Sequence, residues 1–436
     1  MFLIRGGGNN SPRPASQRAA ALVLTAAMLT TLTAPAFAGT WYIEDGDITI
    51  SAGESGNNVT QNEETTKNDT NTIITNREEG ASSHTVTIDA KDEDDKVEVT
   101  LKDVNIDASS RNEAAVSVTG SGDTNIELDG DNELQGGDRH AGLEHNQTVN
   151  SEGNVTSGKL TIQDDNDKAG SLTATGGYFG AGIGGGSAKA GQVTITGGTI
   201  TAISGDGAGI GGGQGNMGSN AGNADIEISG GTIEATGGYT SAGIGGGYYG
   251  DAIIKITGDA VIKNATGGDF GAGIGGGGGG KGDVTISGNA KIENAQGGYA
   301  GSGIGGGYGA SGTVTIKDDS TVTATGGEVG AGIGGGVGGL ADVTIEGNAT
   351  VNATGGVGSA GIGGGYDAEN DDDGTGNKIT IKSNESGAPT VNATGGAFLT
   401  DENGNKAGPG GAGIGSGASD ATAKITIEGL SLIHIS

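Results

Sequence analysis

The chain has 436 residues, of which 97 are glycine, and its formal net charge is −31. This glycine content, about 22% against a usual ~7%, would cost a helical protein too much conformational entropy, and five prolines are too few for collagen. The acidic balance excludes an ordinary nucleic-acid binder, and the absence of cysteine excludes disulfide scaffolds and cysteine zinc sites.

The first 38 residues have the pattern of a secretory signal peptide. Arg5, Arg13 and Arg18 precede an uncharged apolar run over residues 19–33, and Ala36-Phe37-Ala38 offers small residues for cleavage. About 15 apolar residues are too few to span ~30 Å of hydrocarbon, so we expect export rather than a membrane anchor. The predicted localisation is extracellular or at the cell surface, with no transmembrane segment in the mature chain.

Residues 39–175 are predicted to form short strands without a glycine motif. Apolar and polar residues alternate in several segments: 47–50, 85–88, 97–101, 116–118 and 126–128. The charged stretch 54–71 holds few apolar residues and is expected to be a mobile loop. Trp41, the single tryptophan, is expected to cap the first coil rather than to bind a ligand. We expect this region to form the first, less regular coils of the structure that follows.

Residues 176–429 are organised as an internal repeat of about 30 residues. The motif Ala-Gly-Ile-Gly-Gly-Gly or a close variant begins at Ala181, Ala208, Ala242, Ala272, Ser302, Ala331, Ala360 and Ala412. Two short alternating segments lie between successive copies, as in Val284-Thr285-Ile286 and Lys291-Ile292-Glu293. No unit can bury its apolar residues alone, so neighbouring units must stack.

The repeat predicts an all-β fold, a single-stranded parallel β-helix with coils of about 30 residues. Each strand would pair with its equivalent one coil away, and Ile183, Ile210, Ile244 and Ile274 would form an internal ladder. A disordered glycine-rich linker is the alternative. The β-branched pairs at a fixed phase argue against it, because a linker has no reason to keep them.

The last seven residues, 430–436, match one reading frame of a transposon adaptor used in sequencing libraries. The chain stops within a repeat, after Ile425-Thr426-Ile427-Glu428-Gly429. We therefore expect this segment to be an artefact and the natural C-terminus to be missing. The alternative is an ordinary apolar strand.

Several strand phrases resemble a known family. Residues 99–106, 126–134, 160–162 and 170–174 look like the β-helical carbohydrate-binding domains of clostridial and related surface proteins, which are similar in fold to pectate lyases. The resemblance covers roughly residues 40–300. It implies a calcium-containing, non-catalytic β-helix that binds plant or microbial polysaccharide at a bacterial surface.

Tyrosines recur at two positions of the repeat and are the candidate carbohydrate-binding residues. They are Tyr178, Tyr239 and Tyr299 after a Gly-Gly pair, and Tyr248, Tyr308 and Tyr366 after the glycine motif. Equivalent positions line up on one face of a solenoid, where flat rings can stack on sugars. The alternative is that these rings only cover loop edges at the rim of the core.

Three acidic clusters are the candidate calcium sites, because calcium prefers carboxylate and carbonyl oxygens in turns. The candidate ligands are Asp92, Asp94 and Asp95, then Asp164, Asp165 and Asp167, then Asp371, Asp372 and Asp373. The EF-hand spacing fails, since a loop from Asp371 would end in Lys382. The alternative is a set of solvated acidic loops that aid solubility.

No catalytic residues are predicted. Five glycine motifs fit the dinucleotide fingerprint, but no helix is predicted after any of them, so no nucleotide cofactor is expected. His140, Glu144 and His145 could be imagined as an acid-base cluster, although we expect a solvated loop. The preferred function is non-catalytic binding of polysaccharide or of host or cell-wall glycans. A structural or adhesive stalk is the second hypothesis, and a polysaccharide lyase or glycosidase is the third.

Overall fold

Three short segments in each repeat form three parallel faces of a solenoid, which we call faces A, B and C in chain order. The computed structural model describes residues 38–166, 168–215, 222–398, 408–429 and 432–436, which make about 11 turns with ~30-residue coils. Strands pair with their equivalents on neighbouring coils, as Val284 pairs with Val314 on face B. The predicted parallel β-helix is therefore confirmed.

The strands of each face have the following bounds. Face A contains Ile48–Gly53, Val86–Ala90, Val116–Gly120, Leu143–His145, Ile183–Gly184, Ile210–Gly211, Ile244–Gly245, Ile274–Gly275, Ile304–Gly305, Ile333–Gly334, Ile362–Gly363 and Ile414–Gly415. Face B contains Thr40–Tyr42, Thr72–Thr75, Lys96–Lys102, Leu160–Gln163, Gly191–Ile195, Ala224–Ile228, Ala252–Ile256, Gly282–Ile286, Gly312–Ile316, Ala341–Glu346, Asn377–Lys382 and Ala423–Glu428. Face C contains Asn105–Asp107, Gly170–Thr175, Thr199–Ile203, Thr232–Thr236, Val261–Thr266, Lys291–Gln296, Thr321–Thr325, Thr350–Thr354, Thr390–Thr394 and Leu432–Ile435.

One strand, Asp123–Gln135, turns the corner between two faces. Its first part pairs with Lys96–Lys102 on face B and its second part with Gly170–Thr175 on face C. Within the described residues the only helical segment is the 3₁₀ turn Ile43–Asp45. No helix in that part of the chain has the length and apolar character needed to cross a membrane.

The core is a stack of aligned aliphatic side chains along the solenoid. Ile183, Ile210, Ile244 and Ile274 are fully buried and pair in register from coil to coil. The predicted isoleucine ladder is therefore confirmed. Each buried isoleucine contributes about 1.5–3 kcal/mol of hydrophobic free energy relative to an exposed side chain, and the contribution recurs in every coil.

The prediction of a mobile loop over residues 54–71 is wrong. The chain there forms two antiparallel strands, Gly56–Gln61 and Glu64–Asp69, which extend face A beside Ile48–Gly53. A two-residue turn joins them, and both of its residues, Asn62 and Glu63, have positive φ angles of 52° and 65°. Such a turn matches the twist of a hairpin, and Val59 of the first strand is fully buried in the core, which anchors the hairpin to the solenoid.

Trp41 lies at the N-terminal end of the described solenoid, where the prediction of a cap placed it. Its ring packs partly buried against the core, and its Nε1 donates a hydrogen bond of 2.8 Å to the carboxylate of Asp69. The same carboxylate accepts the N–H of Gly39 at 2.9 Å. The hairpin that ends at Asp69 therefore fixes the start of the first coil.

Special segments were predicted at both ends of the chain, a signal peptide at the start and an adaptor-derived segment at the end. Of the predicted signal peptide, residues 1–37 lie outside the described residues. Within the segment 430–436, Leu432–Ile435 forms a parallel strand with Thr390–Thr394 on face C. A strand at this place does not test whether the segment derives from an adaptor, so the adaptor origin stays a prediction. Ala38–Ser436 forms one compact unit.

Candidate functional site

The glycine motifs form tight loops, which we call glycine arcs. In each arc the N–H of the first residue donates to the carbonyl of the fifth, for example from Ala272 to Gly276 at 3.0 Å. The isoleucine between them is buried. The segments just before and just after the arc, which we call its incoming and outgoing flanks, therefore lie next to each other. The N–H of Tyr308, on an outgoing flank, donates to the carbonyl of Phe270, on the preceding incoming flank, at 2.8 Å. Both flanks thus form one outer edge along the solenoid, which we call the crest.

The arcs account for the glycine fingerprints. Each Ile-Gly pair is a strand of face A, and the chain continues into a strand of face B without a helix in the described residues. A dinucleotide site needs a helix N-terminus behind its glycines. The fingerprints are therefore structural: the glycines allow neighbouring backbones to lie in contact.

The incoming flanks carry a row of exposed tyrosines on the crest. Tyr178, Tyr239 and Tyr299 occupy equivalent positions, and their exposed fractions are 57%, 57% and 53%. The strands that precede them on face C are two coils apart in each case, and Asp206 and Asp269 take this position on the intervening coils. Since adjacent strands are ~4.8 Å apart, the tyrosine backbones recur about every 10 Å along the axis.

The outgoing flanks have tyrosines at the same two-coil interval, namely Tyr248, Tyr308 and Tyr366. Tyr308 is exposed, whereas the other two are half-buried. Phe270 connects the flanks, because its ring centroid lies 5.4 Å from those of Tyr239 and Tyr308 in edge-to-face contacts. Sequence reasoning missed Phe270, since it lies one position beyond the tyrosine row. Its place on the coil between two tyrosines could have indicated it.

Polar side chains are interspersed with the rings of the crest. Asp269 and Glu328 are exposed at the tyrosine position of neighbouring coils. Asp206 is buried at the crest, where burial raises the pKa of its carboxyl group, and it accepts a hydrogen bond from the side chain of Gln214. The crest therefore offers flat rings beside hydrogen-bond acceptors, which is the combination that sugar rings and hydroxyls require.

The three acidic clusters lie in separate turns of the solenoid. Asp92, Asp94 and Asp95 are in a turn from face A to face B, Asp164 and Asp165 in a turn from face B to face C, and Asp371, Asp372 and Asp373 in an A-to-B turn several coils away. Asp167 lies outside the described residues. Within the described part of the chain, no three histidine or acidic side chains are grouped so that they could hold a metal ion.

Hydrogen bonds within these turns use some of the carboxylates. The Asp95 carboxylate accepts the N–H of Asp92 at 3.0 Å, and that of Asp373 accepts the N–H of Thr375 at 2.9 Å. Hydrogen bonds from Thr375 lower the pKa of Asp373. The geometry thus supports a turn-forming role for these two side chains.

The interpretation of Glu144 and His145 as a solvated loop is wrong. Both are buried on the face A strand Leu143–His145. The Glu144 carboxylate accepts hydrogen bonds from the Ala141 N–H at 3.1 Å and from the His140 ring at 2.8 Å. It thereby occupies the place that the carbonyl of the fifth residue takes in each glycine arc. Glu144 closes the coil that precedes the first arc.

The two histidines have opposite environments. The hydrogen bond to Glu144 raises the pKa of His140, whereas burial lowers the pKa of His145. The Nδ1 of His145 contacts the carbonyl of Gln192 at 2.8 Å. Both side chains are therefore engaged in packing the solenoid.

A second surface feature is an elongated groove at the corner between faces A and B, which we call the trough. Its volume is about 1340 Å³. Its floor consists largely of small residues on six successive coils: Ala190, Ala224, Ala252, Gly282, Ala310 and Leu340. Val149 and Val155, from an insertion, line one end, and Glu369 and Asp371, from another, line the other. The sequence did not reveal the trough, because the two insertions share a corner only after the coils stack.

Comparison with known proteins gives a result for the repeat alone. Segments 168–187, 193–214, 226–248, 314–337 and 343–366 match a family model described as Beta helix repeat. Each match ends just after a glycine arc, so the similarity follows the coil. No curated protein and no solved structure matches the chain. The protein is a parallel β-helix whose glycine-arc coils are similar to this repeat.

Proposed function

We propose that the protein is an exported or surface-exposed, non-catalytic binder of polysaccharide, with the crest as its contact surface. The observation that carries the proposal is the regular exposure of Tyr178, Tyr239 and Tyr299 at every second coil. Burying such rings would be favourable, and monomeric proteins rarely leave them in a row without a partner. A glycan chain that lies along the crest would meet a tyrosine ring about every 10 Å, so rings would contact its sugar units at regular intervals.

Electrostatics favour an uncharged glycan for this surface. The net charge of −31 produces a negative potential that repels acidic polymers, and Asp269 and Glu328 lie within the tyrosine row. Stacking on rings and hydrogen bonding to carboxylates both suit neutral sugars. The proposal also states that the protein is not a catalyst. Incubation with hydroxyethylcellulose, xylan or glucomannan tests this part, and release of reducing ends or unsaturated products would contradict it.

The test is affinity electrophoresis in gels that contain hydroxyethylcellulose, xylan or glucomannan. We expect the wild type to be retarded in at least one gel. The double variant Y239A/Y299A should bind about tenfold more weakly or worse, because it loses two stacking platforms. The control Y239F/Y299F keeps the rings and should retain most of the affinity. An unretarded wild type, or an alanine variant that binds like the wild type, would overturn the proposal.

Calcium assistance is a separate part of the proposal, and its support is the acidic composition of three turns. The same gels, run with added calcium or with a chelator, test it. Weaker retardation in the chelator supports calcium assistance. Equal retardation removes calcium from the proposal and leaves the crest as the binding surface.

A structural or adhesive stalk is the second candidate function. The observation that favours it is the parallel pairing that continues from Thr40–Tyr42 to Ala423–Glu428. Such a solenoid is a rigid spacer whatever its surface binds. Two results together would favour the stalk: no retardation of the wild type in any of the gels, and a thermal midpoint that does not change when chelator is added.

A further inference from the structure

The trough has the dimensions of a site for a chain-like ligand. Its floor crosses six successive coils, which at ~4.8 Å per strand corresponds to about 24 Å along the axis. Side chains from two insertions line its ends, as described above. Tyr249 and the exposed Ile253 add apolar surface within it. A ligand that fills this space is elongated and lies parallel to the solenoid axis.

The trough is not built to bind a peptide by strand addition. The floor strands Ala224–Ile228 and Gly282–Ile286 are each paired with a parallel strand on both sides. Their backbone donors and acceptors are therefore used within the sheet, whereas strand addition needs a free sheet edge. The trough can contact a ligand mainly through side chains and loop backbone.

The charge of the trough is negative. Its lining contains the lysines Lys189 and Lys281 and the carboxylates Asp225, Asp251, Asp283, Glu369 and Asp371. In the part of the chain that the structure describes, neither Asp225 nor Asp283 takes part in an ion pair. Asp225 and Asp283 occupy equivalent positions on floor strands two coils apart, and Ile253 occupies that position on the strand between them. Their charges are available to a cationic ligand.

The geometry points to the trough as a binding site for an amine-bearing polysaccharide, a polymer of amino sugars with free amino groups. The length and the end walls select an extended oligomer, and the apolar side chains contact the faces of its sugar rings. The carboxylates of Asp225 and Asp283 pair with its ammonium groups. This site is separate from the crest, and it does not require the tyrosine rows to bind anything.

The experiment compares two ligands of equal length by isothermal titration calorimetry at mildly acidic pH, where the amines are protonated. The ligands are a glucosamine hexamer and its fully N-acetylated counterpart. We expect the glucosamine hexamer to bind more tightly, and added salt to weaken it. The variant D225N/D283N should lose on the order of tenfold in affinity for the glucosamine hexamer, because two surface ion pairs are removed.

The matched control is E234Q/E385Q, which removes two exposed carboxylates outside the trough. It should bind the glucosamine hexamer like the wild type, and both variants should keep the wild-type thermal midpoint. Equal affinity for the two hexamers, no binding of either, or equal losses in both variants would overturn the proposal. The variant Y239A/Y299A should leave hexamer binding unchanged, so failure of the trough and failure of the crest are distinguishable.

Discussion

Single side chains decide how the first glycine arc is joined to the coils before it. Glu144 accepts the Ala141 N–H and the His140 ring, and thus replaces a backbone carbonyl by a carboxylate. The side chain of Asn146 donates to its second oxygen at 2.8 Å. A buried carboxylate with three partners is stable only while those partners remain. Between about pH 8 and about pH 5 histidine is the side chain that ordinarily changes its charge, so the two histidines beside Glu144 are the groups to test.

The two histidines should contribute to stability with opposite signs as the pH falls from about 8 to about 5. The pKa of His140 is raised in the folded state, so its contribution is complete below the unfolded pKa of ~6.5 and is lost as the pH rises through the folded pKa. The pKa of His145 is lowered, so its contribution holds above ~6.5 and is lost as the pH falls toward the folded pKa.

Thermal midpoints measured across this pH range test the assignment. H140Q should lose more stability on acidification than the wild type, and H145Q should lose less. The comparison uses slopes, because either substitution can lower the midpoint at every pH through packing alone. Parallel pH profiles for the wild type and both variants would contradict it.

The glycine arc and its flanks show why this element needs glycine for two different physical reasons. A Cβ added at Gly298 would lie 1.7 Å from the carbonyl oxygen of Gly268 on the preceding coil. Gly309 has no atom within 4 Å of such a Cβ, but its φ of +72° is a conformation that other residues rarely adopt. The first glycine allows coils to approach, and the second allows the chain to turn.

Alanine substitutions should separate these reasons. G298A should cost about 3 kcal/mol or more, since the overlap forces the coils apart. G309A should cost only about 1 kcal/mol, which is the strain of a left-handed residue. Equilibrium unfolding in denaturant measures both. Equal losses would show that stacking contact is not what selects glycine at the Gly298 position.

The same elements show what the sequence could predict. The fixed phase of β-branched pairs against glycine motifs predicted the solenoid and the isoleucine ladder, because each depends on local alternation and repetition. The hairpin Gly56–Gln61 with Glu64–Asp69 was missed, because its strands are polar and its turn lacks the usual glycine. The tyrosine rows were found from the repeat. The edge-to-face contacts by which Phe270 joins the two rows emerged only from the stacked coils.

Across the whole molecule, the coils form a one-dimensional stack in which each coil pairs with its neighbours. Stability in such a stack is approximately a sum of coil terms and interface terms. A severe defect in one coil should therefore open that coil and leave distant coils folded. Ile274 is a suitable place to test this, because it is fully buried in the ladder between Ile244 and Ile304.

The variant I274D should become sensitive to proteolysis at one internal place. An unpaired carboxylate in the core costs on the order of 4 kcal/mol or more, and the coil that holds it bears this cost directly, so that coil should open first. Limited proteolysis followed by mass spectrometry should yield two protected fragments that meet near residue 274. The control I203D, at a position that is 40% exposed on face C, should remain resistant like the wild type. Digestion of the whole chain of I274D would instead show that the solenoid unfolds as one cooperative unit, and wild-type resistance would show that the ladder tolerates a charge.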